Sequence, residues 1–219
     1  MKIAALIPVK GFANAKQRLS AMLSADERAL LAETMMRDVV AQTISAGGLD
    51  SVYIVTGDDY VRGLSVSLGV RVIMEEQESG ETGAVEFALA ELKARGIDAA
   101  LVIPADMPLV RAVDIEEVIG QAPRATPFAV LVPSHDRMGT NALLLAPPNA
   151  IRLRFGYDSF SYHVSQAADL PLVIVENERI ALDIDEPQDL ERFIASGGGP
   201  GATYARVMEM RASARWTGA

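Results

Sequence analysis

Three cations and three carboxylates are the residues in this chain whose types and spacing could do chemistry. Lys10, Lys16 and Arg18 fall within the segment "PVKGFANAKQRL", directly after the apolar run Ile3 to Val9. Cations placed where a strand gives way to a helix can hold phosphate through ammonium and guanidinium groups, helped by the helix amino terminus. The segment has one glycine, so it matches neither a Walker loop nor a dinucleotide fingerprint, which rely on several. The plain alternative is a solvated loop. Asp106, in "LVIPADMPLV", ends another apolar run and is bracketed by Pro104 and Pro108, which restrict the backbone on both sides. A carboxylate fixed by such a turn suits a hard cation such as magnesium, although aspartate is also an ordinary turn-former.

Asp183 and Asp185 lie in "RIALDIDEPQDLERF". If residues 181–185 are extended, their side chains share a face and can reach one metal ion. A rival account exists for Asp185, which with Gln188 forms a capping-box signature beside Pro187 and could start a helix. Asp183 has no such alternative and is favoured as a ligand. Two polar loops, "SHDRMGTNALLL" and "RFGYDSFSYHV", offer neutral donors: Gly139, Thr140 and Asn141 at a strand entrance, and Gly156 and Ser159 beyond it. Such groups suit a small oxyanion and equally populate ordinary turns. His135 and His163 sit in no metal-ligand spacing and read as surface or hydrogen-bonding residues.

These groups need a scaffold, and the apolar patterning supplies one. The runs "IAALIPV", "SVYIVTG", "VRVIME", "AALVIPA", "FAVLVPS", "NALLLAP" and "LPLVIVEN" are continuous rather than alternating, as in strands covered on both faces. Helix-like segments separate several of them. After Ser24, which forms a capping box with Glu27, apolar positions Leu30, Leu31, Met35, Val39 and Val40 recur at helical spacing. A second helix is expected over roughly Ala84 to Arg95, stopped at Gly96. Strands alternating with helices predict an α/β fold with a mostly parallel sheet and helices on both faces, in which ligands settle beyond the carboxyl ends of the strands. Residues 1–195 read as one domain. Residues 196–219 read as a Gly-rich joint, "GGGPG", followed by a tail helix over Tyr204 to Arg215 that packs on the surface or on a partner chain.

Composition narrows the partners. Of 219 residues 50% are hydrophobic and 22% charged, which excludes disorder. A net charge of −9 disfavours nucleic acid and anionic membranes, so an anionic ligand must be met by local cations. The chain has no cysteine, hence no disulfide, thiolate zinc site or thiol nucleophile. No run approaches the roughly 20 apolar residues of a membrane span, and "MKIAALIPVKG" is interrupted too early for a signal peptide, so cytoplasm is expected.

Taken in order, "IPVK…AKQRL", "PADMPL", "GTNALLL", "FGYDSF…H" and "DIDEPQDL" resemble the guanylyltransferases of deazaflavin coenzyme biosynthesis. The likeness spans about Met1 to Ile194. The resemblance implies a Rossmann-like nucleotidyltransferase fold similar to that of molybdopterin guanylyltransferase. It also implies transfer of GMP from GTP to 2-phospho-L-lactate, phosphoenolpyruvate or 3-phospho-D-glycerate. By the same resemblance Thr140, Gly156 and Ser159, with Asn141, bind the acid. Asp106, Asp183 and Asp185 hold Mg2+, Lys16 meets the triphosphate with Arg18 beside it, and Pro8 and Lys10 contact the nucleotide. Where the family shows a "GLNAAL"-like stretch this chain has "GETGAVEFAL", so base recognition is expected at Thr82, in place of an Asn, and at Gly83. Two rival functions follow from the same residues: cytidylyl or uridylyl transfer to a sugar phosphate, and a non-catalytic nucleotide-binding module. Oligomeric state stays open, a homodimer included.

Overall fold

In the computed structural model, which describes residues 1–75 and 79–212, all seven apolar runs form strands. They are β1 (Ile3–Pro8), β2 (Ser51–Thr56), β3 (Arg71–Met74), β4 (Ala99–Val102), β5 (Phe128–Pro133), β6 (Thr140–Ala146) and β7 (Leu172–Ile174). One sheet results, in the order β3-β2-β1-β4-β6-β5-β7. β6 runs antiparallel to both its neighbours, β4 and β5, while the remaining pairs are parallel. The helices are α1 (Ala25–Ser45), α2 (Asp59–Ser67), α3 (Gly80–Ala94), α4 (Ala112–Gly120), α5 (Ser159–Gln166), α6 (Pro187–Ala195) and α7 (Thr203–Ala212). None of the described helices is long and apolar enough to cross a membrane.

Side-chain alternation along the strands feeds two cores. In β1, Ile3 and Ile7 join one apolar cluster and Ala4 and Leu6 the other. The first cluster takes in α1 through Met36, Val39 and Val40, α2 through Val61 and Leu64, and α4 through Ile115 and Val118. The second takes in α3 through Val85, Ala88, Leu89 and Leu92, and α5 through Phe160. Helices therefore cover both faces, as the unbroken apolar runs require. Each fully buried Leu or Val side chain contributes about 1.5–3 kcal/mol.

A third cluster lies beyond the sheet and builds the back of the site. It joins Leu19 and Leu23 to Leu31 and Met35 of α1, Leu182 and Ile184, Leu190 and Phe193 of α6, and Val207 and Met210 of α7. Burial alternates along the segment ahead of α6: Leu182 and Ile184 are buried, whereas Asp183 and Asp185 are partly exposed. The aspartates thus share a face, as expected of an extended stretch.

Local expectations are met in some places and shifted in others. The Ser24 hydroxyl accepts from Glu27 N and the Glu27 carboxylate accepts from Ser24 N, completing the capping box of α1. Leu30, assigned to the apolar stripe, is 41% exposed, and Met36 takes its place in the core. α3 starts at Gly80, ahead of Ala84, because its first turn lies at the cleft and needs no apolar stripe; it ends before Gly96, whose φ of +77° makes the left-handed stop. The Gly-rich segment is packed rather than loose. A side chain at Gly199 would collide with the Pro108 carbonyl, and one at Gly201 with Asp38. Asp38 then accepts from Ala202 N, Thr203 N and the Thr203 hydroxyl, fastening the start of α7 to α1. α7 ends at Ala212, so the expected extension to Arg215 lies outside the described residues.

Candidate active site

Strand order reverses between β1 and β4, which makes their carboxyl ends the switch point where α/β sheets collect ligands. The loop leaving β1 carries Lys10 and Lys16, and the turn leaving β4 carries Asp106. β6 enters the sheet at the same edge because it runs the other way. Its Leu143 lies opposite Val102 of β4, so Thr140 and Asn141, earlier in β6, fall beyond the end of β4. The reversed strand explains how residues at a strand's start meet residues at other strands' ends.

Lys16 adopts a left-handed conformation, φ 51° and ψ 44°, just before the short helical turn Gln17–Leu19. That conformation costs a non-glycine residue roughly 1–2 kcal/mol, and completely buried Leu19 anchors the turn beyond it. The bend sends the ammonium inward, where Nζ donates to Asp106 Oδ2 at 2.6 Å and to Asp185 Oδ1 at 2.8 Å. The backbone ties these segments together as well, since Ile184 N donates to the Asp106 carbonyl at 3.1 Å. One carboxylate oxygen from each of Asp106, Asp183 and Asp185 lies within 4.8 Å of the others. Asp106 Oδ1 is buried and finds no hydrogen-bond partner among the described residues. An all-carboxylate trio with an orphaned inward oxygen is a donor set for a hard divalent cation, so these residues fit a metal ion.

Electrostatics agree with that reading. Burial, then Asp106, pushes the Asp183 carboxyl up to about 6. For Lys16, burial works to lower the pKa, but Asp106 and Asp185 outweigh it and the net shift is upward, so the ammonium stays charged. Burial works to raise the Asp185 pKa, and Lys16 with Arg18 turns the net shift downward. Asp185 does not cap α6. Glu186 does, its N donating to Asp189 Oδ2 at 2.8 Å, because Pro187 occupies the first helical position and places the cap one residue before itself. The Asp185 carboxylate is thereby left for Lys16.

Two clefts open on this cluster. The first, of about 530 Å³, is lined by Pro8, Lys10, Lys16, Gly57, Asp58 and Ala84 among others. The second, of about 710 Å³, is lined by Gly139, Thr140, Gly156, Ser159, Asp183 and Arg192 among others. Glu81, Pro104, Asp106 and Asp185 border both, so the clefts meet at a wall of carboxylates with Lys16 bound to it.

Most sequence-expected residues come together here, and a few take other duties. Arg18 faces the second cleft rather than the first; its Nη1 lies 3.5 Å from Glu186 and 3.8 Å from Asp185, and its side chain is 68% exposed. Two residues past Lys16, the helical turn has carried it to the other side of the wall. Thr82 and Gly83 line neither cleft: the Thr82 hydroxyl accepts from Phe155 N at 3.0 Å, and Gly83 packs against the Ser79 side chain. Asn141 borders the second cleft but gives its amide hydrogens to the Ile180 carbonyl and to Asp183 Oδ1, both at 3.0 Å. It therefore orients Asp183, and its side chain has no donor left for an anion. Glu81, which no sequence motif singles out, borders both clefts, and burial, then Asp106, shifts its carboxyl upward. The one sequence signal for it was an acidic residue ahead of the apolar stripe of α3.

The family described as "Guanylyl transferase CofC like" matches residues 3–217. The chain belongs to this CofC-like family. The CofC-like relatives include a phosphoenolpyruvate guanylyltransferase from Conexibacter woesei, 33% identical over 95% of each chain. Another is a 2-phospho-L-lactate guanylyltransferase from Methanothermobacter thermautotrophicus, 35% identical over 94% of this chain and 89% of the relative. A 3-phospho-D-glycerate guanylyltransferase from Colwellia psychrerythraea is 32% identical over 87% and 90%. A nucleotidyl transferase structure from Methanothermobacter superposes with a TM-score of 0.62 at 17% identity, covering 89% of this chain and 97% of the other, which shows the shared Rossmann-like fold. Membership of the CofC-like family makes this protein a nucleotidyltransferase enzyme, and the rival of a non-catalytic module falls away.

Proposed function

We propose that the protein transfers GMP from GTP to a small phosphorylated three-carbon acid, releasing pyrophosphate, as a step of deazaflavin coenzyme biosynthesis. The observation that carries this reading is the pair of clefts sharing one wall of Asp106, Asp185 and Glu81, with Lys16 seated on it. The first cleft would hold GTP and the second the acid. A phosphate oxygen of the acid attacks the α-phosphorus of GTP; that O–P bond forms as the bond from the α-phosphorus to the β-bridging oxygen breaks, and pyrophosphate leaves with the electron pair. A phosphate monoester is mostly dianionic at neutral pH, its second pKa being about 6, so no general base is required. The histidines fit that view: His163 is buried and hydrogen-bonded on both nitrogens, and His135 sits against Arg192.

The demand is charge neutralisation where anionic groups converge. Lys16, between the clefts, meets it at the reacting phosphates, and Lys10 on the nucleotide side. Arg18 stands at the mouth of the acid cleft. A magnesium ion held by Asp106, Asp183 and Asp185 would supply Lewis-acid neutralisation of the triphosphate and the departing pyrophosphate. Thr140, Gly156 and Ser159 would hold the acid. The test is incubation with magnesium, GTP or CTP, and each of the three acids, followed by mass spectrometry. A GMP adduct of one acid with stoichiometric pyrophosphate is expected; adducts with CTP alone, or none with any acid, would discard the proposal.

A further inference from the structure

His163 lies outside the reacting cluster, yet it is the one fully buried imidazole in the chain and it touches the acid cleft through Thr140. Its Nε2 lies 3.1 Å from the backbone nitrogen of Arg154, which can only donate. Nε2 is therefore the acceptor, and in a neutral ring the proton must sit on Nδ1. Nδ1 lies 2.9 Å from Thr140 Oγ1 and so donates to that hydroxyl. The ring is held by edge-on contacts with Phe155, at 5.4 Å between centroids, and Tyr162, at 5.9 Å. Burial, then Arg154, pushes its pKa down to about 4, so it stays neutral.

The consequence falls on the threonine. With one lone pair taken by His163, the Thr140 O–H cannot point at the ring and is free to donate into the cleft. Ser159 repeats the logic, because its Oγ accepts from Thr140 N at 3.1 Å and its own O–H is likewise left to donate. Two hydroxyls whose oxygens are occupied by protein donors present two hydrogens to whatever fills the cleft, the arrangement an anionic oxygen requires.

We propose that His163, fixed as the Nδ1–H tautomer by the Arg154 backbone, is a positioning residue that turns the Thr140 hydroxyl into an obligate donor to an anionic oxygen of the acid substrate. The inference rests on the acid occupying this cleft, as in the reading above. Its geometry predicts a split between substitutions that a merely structural histidine would not give. His163→Asn can place an amide N–H near Nδ1 and keep the donor to Thr140. His163→Gln can place a carbonyl oxygen near Nε2, keeping the acceptor for Arg154 and losing the donor.

Steady-state kinetics on both variants, on Thr140→Ser and Thr140→Val, and on the His163→Gln/Thr140→Val pair provide the test. Thermal melts accompany them to confirm folding. His163→Gln and Thr140→Val should each raise the KM for the acid roughly 10- to 100-fold, the loss of a hydrogen bond to a charged group, with the KM for GTP unchanged. His163→Asn should stay within about threefold of the parent, Thr140→Ser, which keeps the hydroxyl, should lose less than Thr140→Val, and the double variant should be no worse than Thr140→Val alone. Equal losses in His163→Asn and His163→Gln, a parallel rise in both KM values, or additive losses in the double variant would overturn the proposal. Long-range ¹⁵N–¹H spectra of the parent protein read the tautomer without any substrate: an Nε2–H signal for His163 overturns it outright. If the tautomer is Nδ1–H while the parent turns over none of the three acids, the guanylyl-transfer reading has failed. In that case inorganic phosphate and phosphoenolpyruvate should still raise the melting temperature of the parent more than that of Thr140→Val, and equal shifts would overturn the positioning role.

Discussion

Replacing Lys16 with methionine keeps an unbranched apolar stem and deletes the one ammonium that holds Asp106 and Asp185 together at 2.6 and 2.8 Å. Removing one partner of a buried ion pair costs about 3–5 kcal/mol, because the other charge is left uncompensated. Here the low end applies. The Lys16 side chain is only 9% exposed, but Asp185 is 45% exposed and water screens its share. About 3 kcal/mol in a chain of this size corresponds to a fall in Tm of roughly 6–12 °C. A divalent cation at a hundredfold its dissociation constant returns about 2.7 kcal/mol, so the variant should regain most of that loss on adding magnesium or manganese. Turnover should not return with it, since a missing donor at developing phosphoryl charge costs roughly 10²–10³-fold. Calorimetry in EDTA and in magnesium, with a pyrophosphate-release assay, reads all three effects. A Tm in EDTA within about 2 °C of the parent, or turnover within about tenfold of it, would refute the argument that Lys16 is the central cation of the site.

Other outcomes follow from the same geometry. Asp183 has a folded-state pKa raised to about 6, so its stabilising contribution is complete below the ordinary value of 3.8 and is lost as pH rises through about 6. Asp183→Asn, which mimics the protonated form, should therefore raise the metal-free Tm above pH 6 and leave it unchanged below pH 3.8, while abolishing magnesium-dependent turnover; an equal Tm gain at both ends would contradict the sign. Thr82→Ala frees Phe155 N at the edge of the acid cleft, so the KM for the acid should rise roughly three- to tenfold with the KM for GTP constant, and a change confined to GTP would return Thr82 to the nucleotide. Asp38→Ala strands three donors at the start of α7 and should cost about 2–4 kcal/mol by denaturant titration, whereas a loss below about 0.5 kcal/mol would mean that the Gly-rich segment is not anchored there.

What the sequence disclosed was whatever short-range chemistry decides. Continuous apolar runs announced all seven strands, Ser24 with Glu27 announced the start of α1, and Pro104 and Pro108 flagged Asp106 as a placed carboxylate. Alternation correctly put Asp183 and Asp185 on one face. Direction was not legible: "NALLLAP" reads the same whichever way the strand enters the sheet, so the reversal of β6 appears only in the fold. Long-range hydrogen bonding is hidden too: nothing in the sequence shows that Asn141 bonds Asp183 or that Thr82 bonds the Phe155 backbone, so the substrate and nucleotide roles expected of them are not ones their side chains are placed for. The "GGGPG" stretch looked flexible because its anchors, Asp38 and the Pro108 carbonyl, are distant in sequence. At "DEPQD" two capping signatures overlap by one residue, and reading Pro187 as the first helical position would have chosen correctly.

The antiparallel entry of β6 divides the labour of the chain along its length. The first cleft is drawn mostly from residues before β5, and the second mostly from residues after it. With GTP in the first cleft and the acid in the second, as proposed, substitutions in the later half would retool which acceptor is admitted while the activating machinery is inherited intact. A chimera that keeps residues 1–127 and borrows the remainder from a relative with a different acceptor is the natural unit of exchange, with the contact between Asp106 and Ile184 as the seam that must be kept.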